Sequence, residues 1–377
     1  MRILNVIENV DERTGGGAAE RCRQISLHLG KLGHQVKVLT TNVHLDDSEN
    51  SSLNSLTIIA IPYVNKRFYI PFPALFTVNR LIKESEIIQL FSHWTILNVL
   101  VFIFIKFHKK PYIVTPLGAL PIFGRSSLIK KIYNILVGKR LIKQAERCFI
   151  ATEGEIDALV SYGVNLNKIN HLPNGIDEED YQIETDKSFR ERLKIGDNQY
   201  ILFIGRLNPI KAPDMLLEAF IKISKEYSDI NLVIIGPDEG MLDNLKKVAY
   251  ENLGNSRVHF LGYVSKSDKA ALLKSSLFLT VPSHQEAMSI VVLEAGISGR
   301  PALITDQCGF NEVQEVGGGL VVKADTESIS QGLSHMFMNK SILDDMGQKL
   351  QQKVKKDYLW SESTKEHVKI FSEMINS

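Results

Sequence analysis

The feature that most constrains the fold is an alternation of short β-rich runs with amphipathic segments of helical period, which continues along the whole chain. Several runs, such as YILFIG from Tyr200 and NLVIIG from Asn231, are apolar at nearly every position. That composition is typical of strands in a parallel sheet, because helices cover both faces of such a sheet. The alternation fills the first half of the chain and is repeated in the second. It predicts an α/β protein of two doubly wound, Rossmann-like domains.

The pattern predicts strands in both halves of the chain. They are Arg2–Ile7, Gln35–Thr40, Leu56–Pro62, Glu86–Leu90, Pro111–Pro116, Arg147–Thr152, Lys168–Pro173, Tyr200–Gly205, Asn231–Gly236, Val258–Gly262, Leu277–Pro282, Pro301–Thr305 and Gly319–Lys323. A Pro-Asn-Gly turn signal places the boundary between an N-terminal domain 1–175 and a C-terminal domain 176–356. The tail 357–377 is helical in pattern. Ligands of open α/β sheets bind at the carboxyl ends of the strands, so two such domains facing each other predict a cleft lined by strand-end loops.

Composition restricts the class of protein. Apolar residues make up 44% of the chain and charged residues 23%, as in a soluble globular protein. Cys22, Cys148 and Cys308 are odd in number and far apart, so neither a disulfide framework nor a metal site is expected. The N-terminus lacks the pattern of a secretion signal, and the longest apolar run, Ile96–Ile105, is too short to cross a membrane. We therefore expect a cytoplasmic protein that is not integral to a membrane.

The net charge of +1 conceals an asymmetry. Residues 1–175 carry a net charge of +8 and the remaining residues −7, and the segment 106–147 holds ten basic residues against Glu146 alone. Such a concentration predicts an acidic partner. The segment from Ile122 to Val137 mixes Ile, Leu, Phe and Tyr at helical spacing with Lys130 and Lys131. It fits a face resting on anionic lipid or an ordinary amphipathic helix with a solvated basic side. Because the basic stretch lacks interleaved aromatics on a recognisable module, no nucleic acid is expected as a partner.

Three consecutive glycines follow the first predicted strand. The segment is Thr14-Gly15-Gly16-Gly17-Ala18-Ala19-Glu20. Glycine permits positive φ and close approach of a ligand, and the helix that follows would present its positive N-terminus to a phosphate. We predict ligand contacts at Gly16 and Gly17, with a flexible turn as the alternative. The motif is not the G-x-G-x-x-G fingerprint, so nicotinamide binding is not supported.

Two cations follow the first strand of the second domain. Arg206 and Lys211 stand five residues apart on a strand-end loop, next to the start of a helix. A guanidinium and an ammonium in this position can clamp a diphosphate and neutralise the charge that grows on a leaving group. The alternative is a pair of solvated surface cations.

The segment 282–296 joins a buried strand to a helix that is expected to begin near Met288. Glu286 then lies in the loop and Glu294 in the second helical turn. The helix N-terminus would offer free N–H groups to a phosphate. Those groups belong to Ala287, Met288, Ser289 and Ile290. Glu294 can accept hydrogen bonds from ribose hydroxyls and Glu286 from sugar hydroxyls, whereas the alternative is a capping acid and an exposed acid.

In this order and spacing, the motifs resemble those of the family-4 retaining glycosyltransferases, over nearly the whole chain. The resemblance implies the GT-B fold, with a terminal helix around Trp360 that packs back on the first domain. It also implies transfer of a hexose, with retention, from a UDP- or GDP-sugar to a saccharide acceptor. Neither a metal nor a cofactor is implied. With the basic N-terminal domain, it suggests a lipid-linked acceptor, surface polysaccharide synthesis and peripheral contact with the inner face of the plasma membrane through 106–147.

The resemblance also implies roles for single residues. Arg206 and Lys211 would hold the diphosphate, Glu294 the ribose and Glu286 the donor sugar, which makes Glu286, Arg206 and Lys211 the catalytic candidates. The base would lie near three consecutive residues, Gly262, Tyr263 and Val264. The usual glycines after the family's lysine and first glutamate are replaced by alanines, Ala212 and Ala287.

One family position departs in a way that concerns the reaction. Leu117 stands where many members carry a histidine close to the reacting sugar. His93, after the fourth strand, would replace that group or pack in a loop beside Trp94. The departure leaves open a catalytically inert partner subunit that binds a nucleotide sugar. A nucleotide-sugar epimerase is a second rival, because it shares the fold. Glu8 and Asn9, after the first strand, would reach the acceptor side or form a turn.

Overall fold

The computed structural model describes residues 1–11, 14–42, 56–64, 70–71, 74–122, 127–182, 188–286 and 288–376. Contacts among them divide the chain into two compact units. Unit 1 contains Met1–Asn174 together with the C-terminal residues from Trp360, and unit 2 contains Gly175–Leu359.

Every strand predicted from the apolar runs is present, with ends that differ by no more than two residues. The strands are β1 Arg2–Val6, β2 Gln35–Thr41, β3 Thr57–Ile61, β4 Ile87–Phe91, β5 Tyr112–Thr115, β6 Arg147–Ile150, β7 Ile169–His171, β8 Gln199–Ile204, β9 Ile230–Ile235, β10 Val258–Gly262, β11 Leu279–Val281, β12 Ala302–Thr305 and β13 Gly319–Val322.

Helices separate most of the strands. They are α1 Gly16–Lys31, α2 Leu75–Glu84, α3 Ile96–His108, α4 Ser127–Tyr133, α5 Lys139–Lys143, α6 Ile156–Ser161, α7 Ser188–Leu193, α8 Pro213–Ile223, α9 Leu242–Leu253, α10 Lys266–Ser275, α11 Ile290–Ile297, α12 Glu312–Glu315, α13 Thr326–Met338, α14 Leu343–Asp357 and α15 Trp360–Asn376. A π-helical turn, Asn134–Gly138, joins α4 to α5. Among the helices of the described ranges, none has both the length and the apolarity that crossing a bilayer requires.

Both sheets are parallel and doubly wound. In unit 1 the strand order is β3-β2-β1-β4-β5-β6-β7, and in unit 2 it is β10-β9-β8-β11-β12-β13. The order reverses beside β1 in the first sheet and beside β8 in the second, and such reversals are where open α/β sheets bind ligands. The predicted fold class, two Rossmann-like α/β domains, is confirmed.

Strand β1 explains why the runs are apolar throughout. Ile3 and Leu4 are neighbours in the chain, but successive side chains of a strand point to opposite faces of the sheet. Leu4 packs in a cluster with Val78 of α2, whereas Ile3 packs in another with Ile25 of α1 and Phe371 of α15. Because both faces are covered, neither position tolerates a polar side chain without cost.

Unit 2 has the same construction around β8. Ile201 and Phe203 of that strand share an apolar cluster with Leu216 and Phe220 of α8 and with Leu333 of α13. This packing fixes the end of β8 and therefore the position of the loop that follows it.

Candidate active site

The loop after β8 forms a compact turn that positions Lys211. The Lys211 N–H donates to Asn208 Oδ1 over 3.0 Å, and the Leu207 N–H donates to Pro237 O over 2.9 Å. Ala212 follows with φ of 49° and ψ of 49°, in the left-handed region. Glycine adopts that conformation without strain, which explains why the resembling sequences carry glycine where this chain has alanine.

Backbone hydrogen bonds join three strand-end loops of unit 2. The His284 N–H donates to Ile210 O over 2.8 Å and connects the loop after β11 to the loop after β8. The Glu286 N–H donates to Gln307 O over 2.9 Å and connects the loop after β11 to the loop after β12. Residues that the sequence places far apart therefore lie at one edge of the sheet.

Lys211 and Glu286 form an ion pair at this edge. Lys211 Nζ lies 2.8 Å from Glu286 Oε1, which also accepts a hydrogen bond of 2.7 Å from the Ser283 hydroxyl. The Glu286 side chain is 9% exposed and that of Lys211 is 23% exposed. Two predicted site residues are thus brought into direct contact, in a place where charge interactions are weakly screened by water.

Arg206, by contrast, is held by a residue that the sequence analysis missed. Arg206 Nη1 lies 2.9 Å from Glu239 Oε1, and Asn208 Nδ2 donates to Glu239 Oε2 over 2.6 Å. Glu239 follows β9 in the turn Gly-Pro-Asp-Glu-Gly. The sequence did contain a signal for this contact, because Glu239 is an acid that follows β9, the strand next to β8. Both partners of the pair are about two-fifths exposed, so the pair is a surface ion pair.

Helix α11 begins at Ile290, two residues later than predicted, with Ser289 at its N-cap. The Ser289 hydroxyl is buried and has no hydrogen-bond partner among the described residues. Met288 is buried beside it, and Ala287, predicted to contact a phosphate, lies outside the described residues. The Ser289 side chain does not cap the first-turn N–H groups of α11.

Glu294 lies in the second turn of α11, as predicted, and is 6% exposed. Its Oε1 atom lies 2.6 Å from Lys269 Nζ of α10, a partner that the sequence analysis did not identify. Its Oε2 atom is buried and has no hydrogen-bond partner in the described part of the chain.

The segment predicted to lie near the base follows β10. Gly262 has φ of +67°, and its carbonyl accepts a hydrogen bond of 2.8 Å from the Gly236 N–H. Tyr263 is exposed and Val264 is partly exposed. Helix α10 begins two residues later, at Lys266, so this segment leads directly to the helix that carries Lys269.

The glycine loop of unit 1 is a tight turn at the start of α1. A Cβ on Gly15 would stand 2.3 Å from the Ala19 Cβ and 2.6 Å from Asp11 O, so only glycine fits there. Gly16 has φ of +63° and Gly17 continues the first turn of α1. The contact of Gly16 and Gly17 with a ligand stays a prediction.

His93 is fully buried, which matches the packing alternative. Its Nε2 atom lies 3.0 Å from Asn134 Oδ1, and the rings of Trp94, Tyr133 and Tyr162 surround it. Burial lowers the pKa of His93 to about 4, so the ring is neutral near pH 7. It is not displayed on a strand-end surface, and the structure does not support it as the substitute for the family histidine.

Leu117 and Glu8 mark the edge of the first sheet. Leu117 has φ of +55°, and the N–H of the following Gly118 donates to Glu155 Oε2 over 2.6 Å. The Glu8 carbonyl accepts a hydrogen bond of 2.6 Å from the Thr41 hydroxyl, which fixes its backbone after β1. Burial raises the pKa of the Glu8 carboxyl to about 7.

No group of three or more His, Cys, Asp or Glu side chains that could hold a metal ion occurs in the described ranges.

Two family profiles cover most of the chain. Residues 15–180 match Glycosyltransferase Family 4, and residues 184–356 match Glycosyl transferases group 1. The two profiles together identify a glycosyltransferase of the group 1 and family-4 type. This glycosyltransferase is 24% identical to an uncharacterised glycosyltransferase of Methanocaldococcus jannaschii, over 98% of each chain. It is 28% identical to a D-inositol 3-phosphate glycosyltransferase of Nocardia farcinica, over 55% of this chain and 49% of that protein.

Solved structures show the same fold. HepE of Anabaena, crystallised with UDP and glucose, has a TM-score of 0.81 at 17% identity, covering 99% of this chain and 100% of its own. WaaG, a glycosyltransferase involved in lipopolysaccharide biosynthesis, has a TM-score of 0.74 at 18% identity, covering 98% and 99%. The predicted GT-B fold is therefore confirmed, and the two profiles confirm the resemblance to group 1 and family-4 glycosyltransferases.

Proposed function

We propose that this glycosyltransferase moves a hexose from a UDP- or GDP-sugar to a saccharide acceptor, with retention of anomeric configuration and without a metal or cofactor. The observation that carries the proposal is the pairing of Lys211 with Glu286 over 2.8 Å, which joins the loops after β8 and β11 beside the N-terminus of α11. A cation, a buried acid and the N–H groups at the start of α11 together match a diphosphate with a sugar attached. UDP is the first candidate because HepE was crystallised with it.

The charged residues predicted for the site then have separate roles. Lys211 and Arg206 neutralise the diphosphate, and the first-turn N–H groups of α11 add donors. Glu286 accepts hydrogen bonds from the donor sugar, and Glu294 accepts them from the ribose. The base rests near Tyr263.

In the proposed reaction the C1–O bond to the nucleotide diphosphate breaks while the acceptor hydroxyl attacks the same face of C1. The departing diphosphate takes the acceptor's proton, so protein side chains need not form a covalent bond to the sugar. The contribution of the protein is positioning and stabilisation of the negative charge that develops on the diphosphate. Lys211, partly buried and already fixed by its hydrogen bonds, suits that role.

A thermal-shift screen against UDP, GDP, ADP and their common sugars, with and without EDTA, tests the donor site. We expect one base to raise the melting temperature, with no effect of EDTA and a loss of the shift in Arg206→Ala. Lys222→Ala, an exposed lysine on α8, is the matched control and should keep the shift. The absence of a shift with every nucleotide in folded protein would contradict the proposal.

The two rival functions make different predictions. An epimerase would convert a nucleotide sugar into its epimer in the absence of any acceptor, which proton NMR of the sugar detects. An inert partner subunit would bind the nucleotide sugar but would release no nucleotide diphosphate from it, even over a long incubation. We expect slow release of the nucleotide diphosphate without epimerisation, and faster release when a saccharide acceptor is added.

For the acceptor side we propose a lipid-linked saccharide in surface polysaccharide synthesis, reached by peripheral contact of the protein with an anionic membrane at the inner face of the plasma membrane. Around α4 and the π-helical turn, large aliphatic side chains are exposed. They are Leu128, Ile129, Ile132, Ile135 and Leu136. Lys131, Lys139 and Arg140 are exposed on the same segment. A surface with these exposed aliphatic and basic side chains fits the boundary between acyl chains and anionic headgroups. Each basic residue near such a membrane contributes about 1 kcal/mol to the free energy of binding.

Vesicle flotation tests the membrane contact. We expect the protein to float with vesicles containing anionic phosphatidylglycerol and much less with neutral phosphatidylcholine vesicles. Ile135→Ser with Leu136→Ser should abolish flotation, whereas Tyr250→Ser with Met338→Ser, two exposed apolar residues of unit 2, should not. Equal flotation of both double variants would contradict the proposal that this surface contacts the membrane.

A further inference from the structure

The two carboxylate oxygens of Glu294 have different surroundings. Oε1 lies 2.6 Å from Lys269 Nζ, and Oε2 is buried without a hydrogen-bond partner among the described residues. The Glu294 side chain is 8% exposed and the Lys269 side chain 26% exposed. A buried acceptor left unsatisfied is costly, so such atoms usually meet a ligand or water.

Lys269 is fixed by the helix on which it stands. α10 begins with Ser265 as its N-cap, whose hydroxyl accepts a hydrogen bond of 3.1 Å from the Asp268 N–H. Arg192 pairs with the Asp268 carboxylate and ties the helix to α7. The residues after Lys269, Ala270–Leu273, are buried. The ammonium group therefore comes from a rigid element and not from a mobile loop.

The ion pair has two consequences for Glu294. The ammonium compensates the cost of burying a carboxylate, so the group can remain an ionised acceptor. It also occupies Oε1 and thereby sets the rotation of the carboxylate, so that Oε2 is left as the acceptor. A ribose diol presents hydroxyl donors that match such an oxygen.

We propose that Lys269 is a positioning residue that orients the Glu294 carboxylate to bind the ribose hydroxyls of the donor nucleotide. This rests on the proposed function. Because α10 follows directly on the segment around Tyr263, the lysine couples the part of the site that meets the base to the acid that meets the ribose. The Lys269–Glu294 ion pair thereby makes the site bind ribonucleotides in preference to their 2′-deoxy forms.

Calorimetric titration with UDP and 2′-deoxy-UDP, and with GDP and 2′-deoxy-GDP, tests the inference. A hydrogen bond to a charged group is worth about 1.5–3 kcal/mol, so the wild type should prefer the ribonucleotide by roughly ten- to a hundredfold. Lys269→Met should reduce this ratio to near one by weakening the ribonucleotide alone. Lys266→Met, an exposed lysine one turn earlier on the same helix, should keep the ratio. A role limited to folding would weaken both nucleotides equally.

Lys269→Gln is the second variant if the methionine variant does not fold, and it should also lower the ratio. A folded Lys269→Met or Lys269→Gln variant with the full preference for the ribonucleotide would overturn the inference and leave the proposed function intact. Equal binding of the ribo and deoxy forms by the wild type would overturn it as well. Failure of the wild type to bind any of the four nucleotides would instead overturn the proposed function.

Discussion

Lys211 Nζ and Glu286 Oε1 lie 2.8 Å apart, although 75 positions separate the two residues in the chain. They meet because β8 and β11 are adjacent strands of one parallel sheet, which brings their following loops to the same edge. The Ser283 hydroxyl shares the same oxygen of Glu286. The cation and the acid thus form one unit, and substitution of either changes the surroundings of the other.

Lys211→Met is expected to lower kcat by about a hundredfold or more while weakening nucleotide binding far less. The ammonium acts on charge that grows only as the diphosphate leaves, and such groups typically contribute 10²–10³ in rate. Release of nucleotide diphosphate from the donor sugar gives kcat, and calorimetry gives binding. A loss of binding as large as the loss of kcat would instead assign Lys211 to ground-state recognition.

Glu239→Gln is expected to tighten binding of the nucleoside diphosphate. In the structure Glu239 neutralises Arg206 through a surface ion pair, which is worth about 0.2–1 kcal/mol, so its removal frees the guanidinium by roughly 1.5- to fivefold in affinity. Glu251→Gln on α9 makes the same change in net charge and serves as the control. Calorimetry at low and high salt measures the effect, and weaker binding in Glu239→Gln would show that Glu239 itself contacts the ligand.

Glu8→Gln is expected to stabilise unit 1 at pH 8 relative to the wild type and to have little effect near pH 4.5. Burial raises the pKa of Glu8 from 4.5 to about 7. The folded chain therefore binds more protons than the unfolded chain between these values, and the wild type loses stability as pH rises through them. A difference of one pKa unit corresponds to about 1.4 kcal/mol. Because Glu8 is partly exposed, we expect the variant to gain roughly 1–3 kcal/mol in the free energy of unfolding at pH 8.

Urea unfolding followed by tryptophan fluorescence measures this, because both tryptophans, Trp94 and Trp360, belong to unit 1. Glu84→Gln is the control. Lys37 lowers the pKa of Glu84, so the wild type gains stability from that group as pH rises, and the variant should change in the opposite direction. The same pH response in both variants would contradict the assignment to Glu8.

Gly15→Ala is expected to destabilise unit 1 by about 1–3 kcal/mol, as overpacking does elsewhere. The added methyl group would meet the Ala19 Cβ and a backbone oxygen at distances that no real contact allows. Gly30→Ala, in the same helix and with open space around it, should instead stabilise by about 0.5–1 kcal/mol. The unfolding midpoints of both variants check this, and an unaffected Gly15→Ala would mean that the turn can rearrange.

Much of the fold was predictable because its cause is local in sequence. Apolar runs such as the one from Tyr200 can be buried only in a sheet covered on both faces, and strand ends follow from the residues that interrupt the runs. The start of α11 was placed two residues early, since its loop is shaped by the hydrogen bonds of His284 and Glu286 to other loops. Those bonds have no signature in the local sequence.

The candidate site divides in the same way. The positions of Lys211, Glu286 and Glu294 after their strands followed from motif and spacing. The partners Glu239 and Lys269 did not, because each comes from a different strand-end loop or helix, 33 and 25 positions away in the chain. The sequence left the position of His93 open, because a histidine that follows a strand can lie on the surface at the edge of the sheet or be buried beneath it.

By itself, the sequence determined two parallel α/β domains, because the period and length of its apolar runs admit no other arrangement that buries them. It also determined which loops carry the charged groups. Only the tertiary structure decided which charges meet, because strand order brings remote loops to one edge and burial makes each charge require a partner. Lys269 was therefore an ordinary helical lysine in the sequence, and its pairing with Glu294 appears only when α10 packs against α11.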